Sequence, residues 1–354
     1  MPVSNFELPH RRKNILTGEW ILVSPHRTKR PWQGEVSKPD LVSRARYDPD
    51  CYLCPGNKRA NGEVNPDYKN TFVFTNDFSA LLEDVPDSKL NKRDLLIAKS
   101  EKGICRVINF SPRHDLTLAE MNESDIEVVI DTWCNEFKML CSLSYINYVQ
   151  IFENKGSIMG NSNPHPHGQI WAQESIPMEI TKELKQFSKY YKKNKSTLLS
   201  DYLKLELKSG ERIVYKNNSF VALVPFWAVW PYEILIISRR KIDNILNFSK
   251  SEIKDFANIL KIVTTKYDNL FETSFPYSAG MHQSPVNKKE SKESKEWHFH
   301  MHFYPPLLRS AAIKKFMVGY EMLAEPQRDI TPEFSAKVLK DLPEIHYKIT
   351  GNIS

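Results

Sequence analysis

One order of elements is written twice along this chain, and that repetition constrains the fold more than any other feature. In the first half, Thr71–Phe74 and Arg106–Phe110 are rich in β-branched and apolar residues and read as strands. A helix follows from Leu118 to Cys141, with Ile126, Val129, Ile130, Trp133, Phe137 and Leu140 at helical spacing on one face. Thr117 with Glu120, and Ser124 with Glu127, have the spacing of capping boxes at its start. Then come a strand at Tyr148–Phe152, a glycine-containing loop and an alternating strand His165–Trp171. The second half repeats the order: strands Phe220–Val224 and Glu233–Ile237, a helix Glu252–Leu270, and an alternating run Trp297–Tyr304. In that helix Ile253, Phe256, Ile259, Leu260, Val263 and Tyr267 turn inward. The expected fold is α+β, with tandem duplicated halves, each a mostly antiparallel sheet flanked by helices. Residues 1–178 form one half, 179–210 a helical connector and 211–354 the other half. Lys182–Lys208 reads as two solvated helices and the charge run Lys288–Glu296 as an exposed loop.

With 41% hydrophobic and 11% aromatic residues in 354, the chain can bury a sizeable core. Its net charge of +6 is spread rather than banded, which favours small phosphorylated ligands over nucleic acid. No run of about 18 apolar residues is present, so no transmembrane helix is expected. The N-terminal residues, with His10-Arg11-Arg12-Lys13, carry no apolar signal core. An odd five cysteines argue against a disulfide scaffold and for a reducing compartment, with the cytoplasm as the expected location.

The chemistry concentrates in Asn163-Pro164-His165-Pro166-His167-Gly168-Gln169-Ile170-Trp171. On a strand, the period of two puts His165, His167 and Gln169 on one face. Upstream, Cys51-Tyr52-Leu53-Cys54 has zinc-knuckle spacing between turn-forming residues. Two further ligands must come from elsewhere, and His114 with either His165 or His167 are the candidates. Cys105, Cys134 and Cys141 read as core cysteines. If His165 is a ligand, His167 stays neutral and free to attack phosphorus, with its other ring N–H held by a backbone carbonyl. Gln169 then separates reaction types. An amide hydrogen-bonds a phosphoryl oxygen but cannot hand a proton to a poor leaving group, so it favours transfer between phosphates over hydrolysis.

These strings resemble the galactose-1-phosphate uridylyltransferase family of the histidine-triad superfamily over nearly the whole length. The resemblance rests on His10-Arg11-Arg12, Trp20-Ile21-Leu22-Val23-Ser24-Pro25-His26-Arg27, Lys29-Arg30-Pro31-Trp32, Cys51-Tyr52-Leu53-Cys54-Pro55-Gly56-Asn57, Phe152-Glu153-Asn154-Lys155-Gly156, the His165 run, and His302-Phe303-Tyr304-Pro305-Pro306-Leu307-Leu308-Arg309-Ser310. It implies two histidine-triad-like halves. It also implies ping-pong exchange of uridylyl between UDP-glucose and galactose 1-phosphate, giving glucose 1-phosphate and UDP-galactose. By motif match His167 is the nucleophile and Gln169 steadies the phosphoryl oxygens. Zinc falls on Cys51, Cys54, His114 and His165, and a second, structural metal, iron or zinc, on Glu183, His282, His300 and His302. Substrate contacts fall on Arg27, Arg30, Asn76, Asp77, Asn154, Gly160, Asn161 and Ser162. Lys315, Phe316, Val318, Tyr320, Glu321 and Gln327 reach the partner's site in this family, which implies a homodimer with composite active sites. Packing within the chain competes with that role for Phe316 and Val318. Two features depart from the family: Asn161 stands where relatives often carry cysteine, and His298 is an extra histidine that alternates with His300. The rival readings are a nucleotide phosphorylase or hydrolase on the same scaffold, and a zinc-stabilised nucleotide-binding protein without turnover.

Overall fold

The repeated order of elements closes into a single sheet. The computed structural model describes residues 6–29, 44–286 and 294–350; Arg30 and most of the Lys288–Glu296 run lie outside them. In chain order the strands are β1 (His10–Lys13), β2 (Trp20–Val23), β3 (Phe72–Thr75), β4 (Lys89–Lys92), β5 (Leu96–Lys99), β6 (Gly103–Asn109), β7 (Tyr148–Lys155) and β8 (His167–Gln173). They continue with β9 (Ile213–Lys216), β10 (Phe220–Leu223), β11 (Ile234–Ser238), β12 (Tyr277–His282), β13 (His300–Tyr304) and β14 (Gln327–Arg328). Nine of them form one sheet in the order β3-β6-β8-β7-β12-β13-β11-β10-β9. The pairs within it are antiparallel.

Read outward from the β7–β12 junction, the two halves of this sheet match. β7, β8, β6 and β3 on one side correspond to β12, β13, β11 and β10 on the other. In each half the chain visits its four strands in the same sequence, with a long helix after the second: α1 (Glu123–Cys141) in the first and, after the connector, α4 (Lys250–Phe271) in the second. This is the expected α+β duplication. The inward faces of α1 and α4 join the sheet in one continuous core, including Ile126, Ile130, Phe137, Ile151, Phe256, Leu260, Val263 and Phe303. Fully burying a side chain of this size contributes roughly 1.5–3 kcal/mol. Both halves feed one core, so neither packs independently of the other.

The other face of the sheet is treated differently in the two halves. Helices α2 (Met178–Asn194) and α3 (Leu198–Ser209) cover the second half, packing Ile180, Phe187, Leu199 and Leu203 against Val221, Leu235, Ile237 and Trp297. They are therefore not the purely solvated helices expected over Lys182–Lys208; their lysines lie outward while an apolar stripe and two buried glutamates, Glu183 and Glu206, turn in. On the first half, the same face of β8 carries His167, Gln169 and Trp171 only partly buried.

Helix starts also depart from expectation. α1 begins at Glu123 behind Asn122, which makes no side-chain cap, and neither expected capping box forms at its start. Thr117 and Glu120 pair through their side chains at 3.1 Å in a preceding turn. Glu123 and Asp125 instead place carboxylates at the positive end of the helix. α4 starts two residues before Glu252, and there Ser249 and Glu252 form a full reciprocal capping box.

Candidate active site and metal centres

β8 begins at His167 because Pro164 and Pro166 carry no N–H for a ladder. The expected strand His165–Trp171 thus runs two residues later, and His165 lies in its buried approach. The Nε2 atom of His165 is 2.8 Å from the Ser111 carbonyl oxygen and 3.1 Å from the Tyr68 hydroxyl. A carbonyl only accepts, so Nε2 holds the proton and Nδ1 presents a lone pair. That Nδ1 faces Cys54 Sγ at 3.6 Å, and His114 Nδ1 faces the same sulfur at 3.7 Å. With Cys51, these donor atoms all lie within 4.8 Å of one another, and all four residues are buried. His167 is not part of this group.

Burial pushes the Cys54 thiol up to about 12 and the nearby Cys51 adds to the shift. Burial also pulls His165 down to about 4 and His114 below the ordinary imidazole value. Two thiols and two neutral imidazoles shut away from water, lone pairs converging, fit a tetrahedral metal ion; its charge makes thiolate the stable form. Supporting groups hold this set in place. Tyr68 Oη donates to Leu53 O at 2.6 Å, Asn109 Nδ2 donates to the same oxygen at 3.0 Å, and Asn163 Oδ1 accepts from His165 N at 2.9 Å. Sequence reasoning missed all three. Asn163 sat visibly in the motif, but Asn109 reaches the centre through the pairing of β6 with β8 and Tyr68 from the loop before β3, neither of which is legible locally.

His167 has the opposite tautomer. Its Nδ1 donates to the His165 carbonyl at 2.8 Å, which leaves the Nε2 lone pair free. Burial lowers its pKa, so the imidazole is neutral at neutral pH. The ring borders a cavity of about 270 Å³ shared with Arg44, Thr117, Glu153, Lys155, Gly156, Asn161 and Ser162. Gly156 and Gly160, in the loop before the nucleophile run, have φ of +88° and +79°. At Gly156 a Cβ would also meet Pro276 at 2.9 Å. Asn154 Oδ1 accepts from Ser278 Oγ at 2.7 Å, and Gln169 Oε1 accepts from Trp171 Nε1 at 3.0 Å.

Asn154, Gly160 and Gln169 are not among the residues lining this cavity, and other expected substrate residues also lie apart from it. Arg27 is exposed in the turn Pro25–Lys29, its Nε 3.7 Å from Asp329. Beyond β3, Asn76 Oδ1 accepts from Phe78 N at 2.9 Å and Asp77 pairs with Arg59 at 3.1 Å. Lys315 pairs with Glu321, which also accepts from Gln327 N at 3.1 Å. Phe316, Val318 and Tyr320 are 56%, 62% and 54% exposed, so packing within the chain does not account for them.

The second donor set is also brought together. Glu183 on α2, His282 on β12 and His300 and His302 on β13 place their donor atoms within 4.8 Å of one another. His282 Nδ1 lies 2.8 Å from Glu183 Oε1 and His300 Nε2 lies 3.3 Å from Glu183 Oε2. Burial opposes ionisation of Glu183, but His282 and His300 outweigh it and hold the carboxyl well below its usual range. Glu183 Oε2, His300 Nε2 and both nitrogens of His302 are buried without a hydrogen-bond partner. Buried polar atoms without partners are costly unless a cation takes their lone pairs, so these residues fit a metal. His298 does not compete for it: Nε2 donates to Ser238 O at 2.6 Å and Nδ1 meets Ser200 Oγ at 3.2 Å.

The registers relate the two centres. His167 pairs with Asn109 and Gln169 with Val107; His300 pairs with Ile237 and His302 with Leu235 on the equivalent strands. His300 thus stands where His167 stands, and its Nδ1 likewise donates to the carbonyl two residues before it, at 2.8 Å. His298 corresponds to His165, and each gives its Nε2–H to a serine carbonyl.

Comparison with known proteins agrees with this architecture. Residues 2–177 match the family model for the galactose-1-phosphate uridyl transferase N-terminal domain, and residues 183–351 match the C-terminal domain. The chain is 51% identical over 342 residues to the galactose-1-phosphate uridylyltransferase of Haemophilus influenzae, covering 97% of each chain. It is 50% identical over 351 residues to that of Saccharomyces cerevisiae, covering 96% of each. Among solved structures, one described as a uridylyltransferase superposes with a TM-score of 0.73 at 26% identity, over 93% of this chain and 97% of the other. Matches of this extent across both halves make the chain a member of the galactose-1-phosphate uridylyltransferase family.

Proposed function

We propose that the chain exchanges uridylyl between UDP-glucose and galactose 1-phosphate by way of a covalent uridylyl-His167. One observation carries this reading: the His167 ring proton is committed at Nδ1 to the His165 carbonyl, so Nε2 keeps its lone pair on a ring that borders the cavity. In the first step Nε2 bonds to the α-phosphorus of UDP-glucose, and the bond from that phosphorus to the bridging oxygen breaks. Glucose 1-phosphate leaves with the electron pair and needs no proton. In the second step a phosphate oxygen of galactose 1-phosphate attacks the same phosphorus and the N–P bond breaks, giving UDP-galactose and free His167. The Nδ1–H stays on the His165 carbonyl and offsets positive charge on the ring in the adduct. Gln169 and Asn154 supply amide hydrogen bonds to the phosphoryl oxygens, and Gly160, Asn161 and Ser162 shape the approach to them. Lacking a proton donor, Gln169 disfavours a hydrolase.

The same reading assigns Arg27, Arg30, Asn76 and Asp77 to the nucleotide. Lys315, Phe316, Val318, Tyr320, Glu321 and Gln327 go to the site of a second copy in a cytoplasmic homodimer. Zinc is assigned to Cys51, Cys54, His114 and His165, and iron or zinc to Glu183, His282, His300 and His302. When bound, these ions cross-link the strand approach and α2 to the sheet, which supplies rigidity rather than chemistry at phosphorus. Residues 1–178, 179–210 and 211–354 are the proposed first half, connector and second half.

The test uses UDP-glucose labelled on its α-phosphate with no acceptor present. A label that survives base, is lost in acid, maps to His167 and is chased by galactose 1-phosphate is expected. Release of glucose 1-phosphate with no bound label would replace the covalent route by hydrolysis or direct displacement.

A further inference from the structure

The Gln169 side chain has two faces, an acceptor oxygen and a donor NH₂, and its use depends on which one meets the phosphoryl group. Trp171, two residues along the same face of β8, donates its indole N–H to Gln169 Oε1 at 3.0 Å. An indole nitrogen only donates, so the amide cannot turn over without losing this bond and pressing NH₂ against N–H. Its oxygen is therefore held on the indole side and its NH₂ on the opposite side of the amide; among the described residues that Nε2 makes no hydrogen bond. The neighbouring Gln150 shows the alternative on the adjacent strand: its NH₂ is spent on the carbonyls of Ile151 and Met281, both at 3.0 Å. The indole is itself held. Phe152, opposite Gln169 on β7, packs edge-on against it with ring centroids 5.8 Å apart.

We propose that Trp171 is a positioning residue for uridylyl transfer, holding the Gln169 amide with its NH₂ toward the phosphoryl oxygens. This inference rests on the proposed function of the His167 site. Trp171 need touch no substrate. Its N–H acts by removing the amide orientation that would aim a carbonyl oxygen at an anion, which a free glutamine would sample.

The experiment measures single-turnover formation of the labelled His167 adduct in the full-length, metal-loaded protein. Trp171→Phe keeps an aromatic ring against Phe152 and removes the N–H. The expected rate falls about 10- to 100-fold, as for loss of a supporting hydrogen bond. Placed on a Gln169→Ala background, the same substitution is expected to cost nothing further, because the amide it orients is gone. An equal loss on both backgrounds would make Trp171 a packing residue and overturn the proposal, as would an unchanged rate in Trp171→Phe itself. If Trp171→Phe does not fold, β-(3-benzothienyl)alanine at position 171 keeps the ring shape without the N–H and is held to the same two outcomes. A wild-type protein that forms no adduct overturns the covalent reading. A normal adduct impaired by Gln169→Ala but not by loss of the indole N–H overturns the positioning role alone.

Discussion

Two imidazoles two residues apart are prepared for different work because their ring protons are pinned on different nitrogens. In His165 the proton sits on Nε2 against Ser111, and Nδ1 is turned to Cys54; in His167 it sits on Nδ1 against the His165 carbonyl, and Nε2 is free. One backbone carbonyl therefore ties the metal centre to the nucleophile. Disturbing the metal set should move the carbonyl that holds the His167 tautomer. Cys51 is the member of that set farthest in the chain from His167, so its substitution tests the centre without touching the reacting atom. Cys51→Ser is expected to remove about one metal equivalent per chain and to lower Tm by several degrees, on the order of 5 °C or more, since metal binding energy is folding energy. Elemental analysis with a thermal melt reads both. Full metal occupancy at unchanged Tm would take Cys51 out of the ligand set.

At the scale of elements, β7 separates two environments by its period of two. Phe152 and Asn154 face the open side with β8, while Glu153 and Lys155 turn to the α4 side, where they also border the cavity that His167 reaches. There Lys155 pairs with Asp268 at 2.7 Å and Tyr277 Oη donates to Glu153 at 2.9 Å. Burial raises Glu153 to about 7, Tyr277 and Lys155 working against the rise and Asp268 with it. The folded chain then binds more protons than the unfolded chain between the ordinary carboxyl value and about 7. Stability is consequently expected to fall as pH rises through that window, by up to about 3 kcal/mol. Glu153→Gln removes the titration and should flatten the dependence, gaining stability relative to wild type at pH 8 but not at pH 5. Parallel Tm–pH curves for the two proteins would refute this. The same strand marks where sequence reading stops. The helix faces of α1 and α4 and the alternating runs at His167 and His300 were legible because their periods are local. β12, the arm β4–β5 and the edge strand β9 were not read from local pattern. β12 (Tyr-Ser-Ala-Gly-Met-His) has little β-branched content and is held by pairing with β7 and β13. Strand starts at His167 and His300 fell two to three residues later than the histidine pattern alone indicated. The two donor sets were named from the family resemblance, and the fold brings the residues of each together; Tyr68, Asn109 and Glu153 act through contacts no motif contained, whereas the Trp171–Gln169 contact lies within the His165 run.

At the scale of the whole molecule, the duplicated sheet has one working face and one closed face. On the second half α2 lies over β13, and Glu183 fills the place opposite His300 and His302. On the first half the corresponding face of β8 is partly open. Among the described residues no helix equivalent to α2 covers it, yet Phe316, Val318 and Tyr320 stand exposed on a segment anchored by Lys315–Glu321 and by Gln327 beside β2. Apolar side chains displayed on one copy and an open face on the other are what an isologous pair brings together. If the sites are composite, His167→Gly and Lys315→Ala damage different chains of each site. Either variant alone should then be inactive or nearly so. Co-expressed chains pair at random, half the dimers are mixed, and each mixed dimer has one site with His167 from one copy and Lys315 from the other. Recovery of about a quarter of wild-type exchange activity is therefore expected. Activity no greater than the sum of the separate variants, in a sample containing mixed dimers by mass, would mean that each chain builds its site alone and that the exposed segment serves another contact.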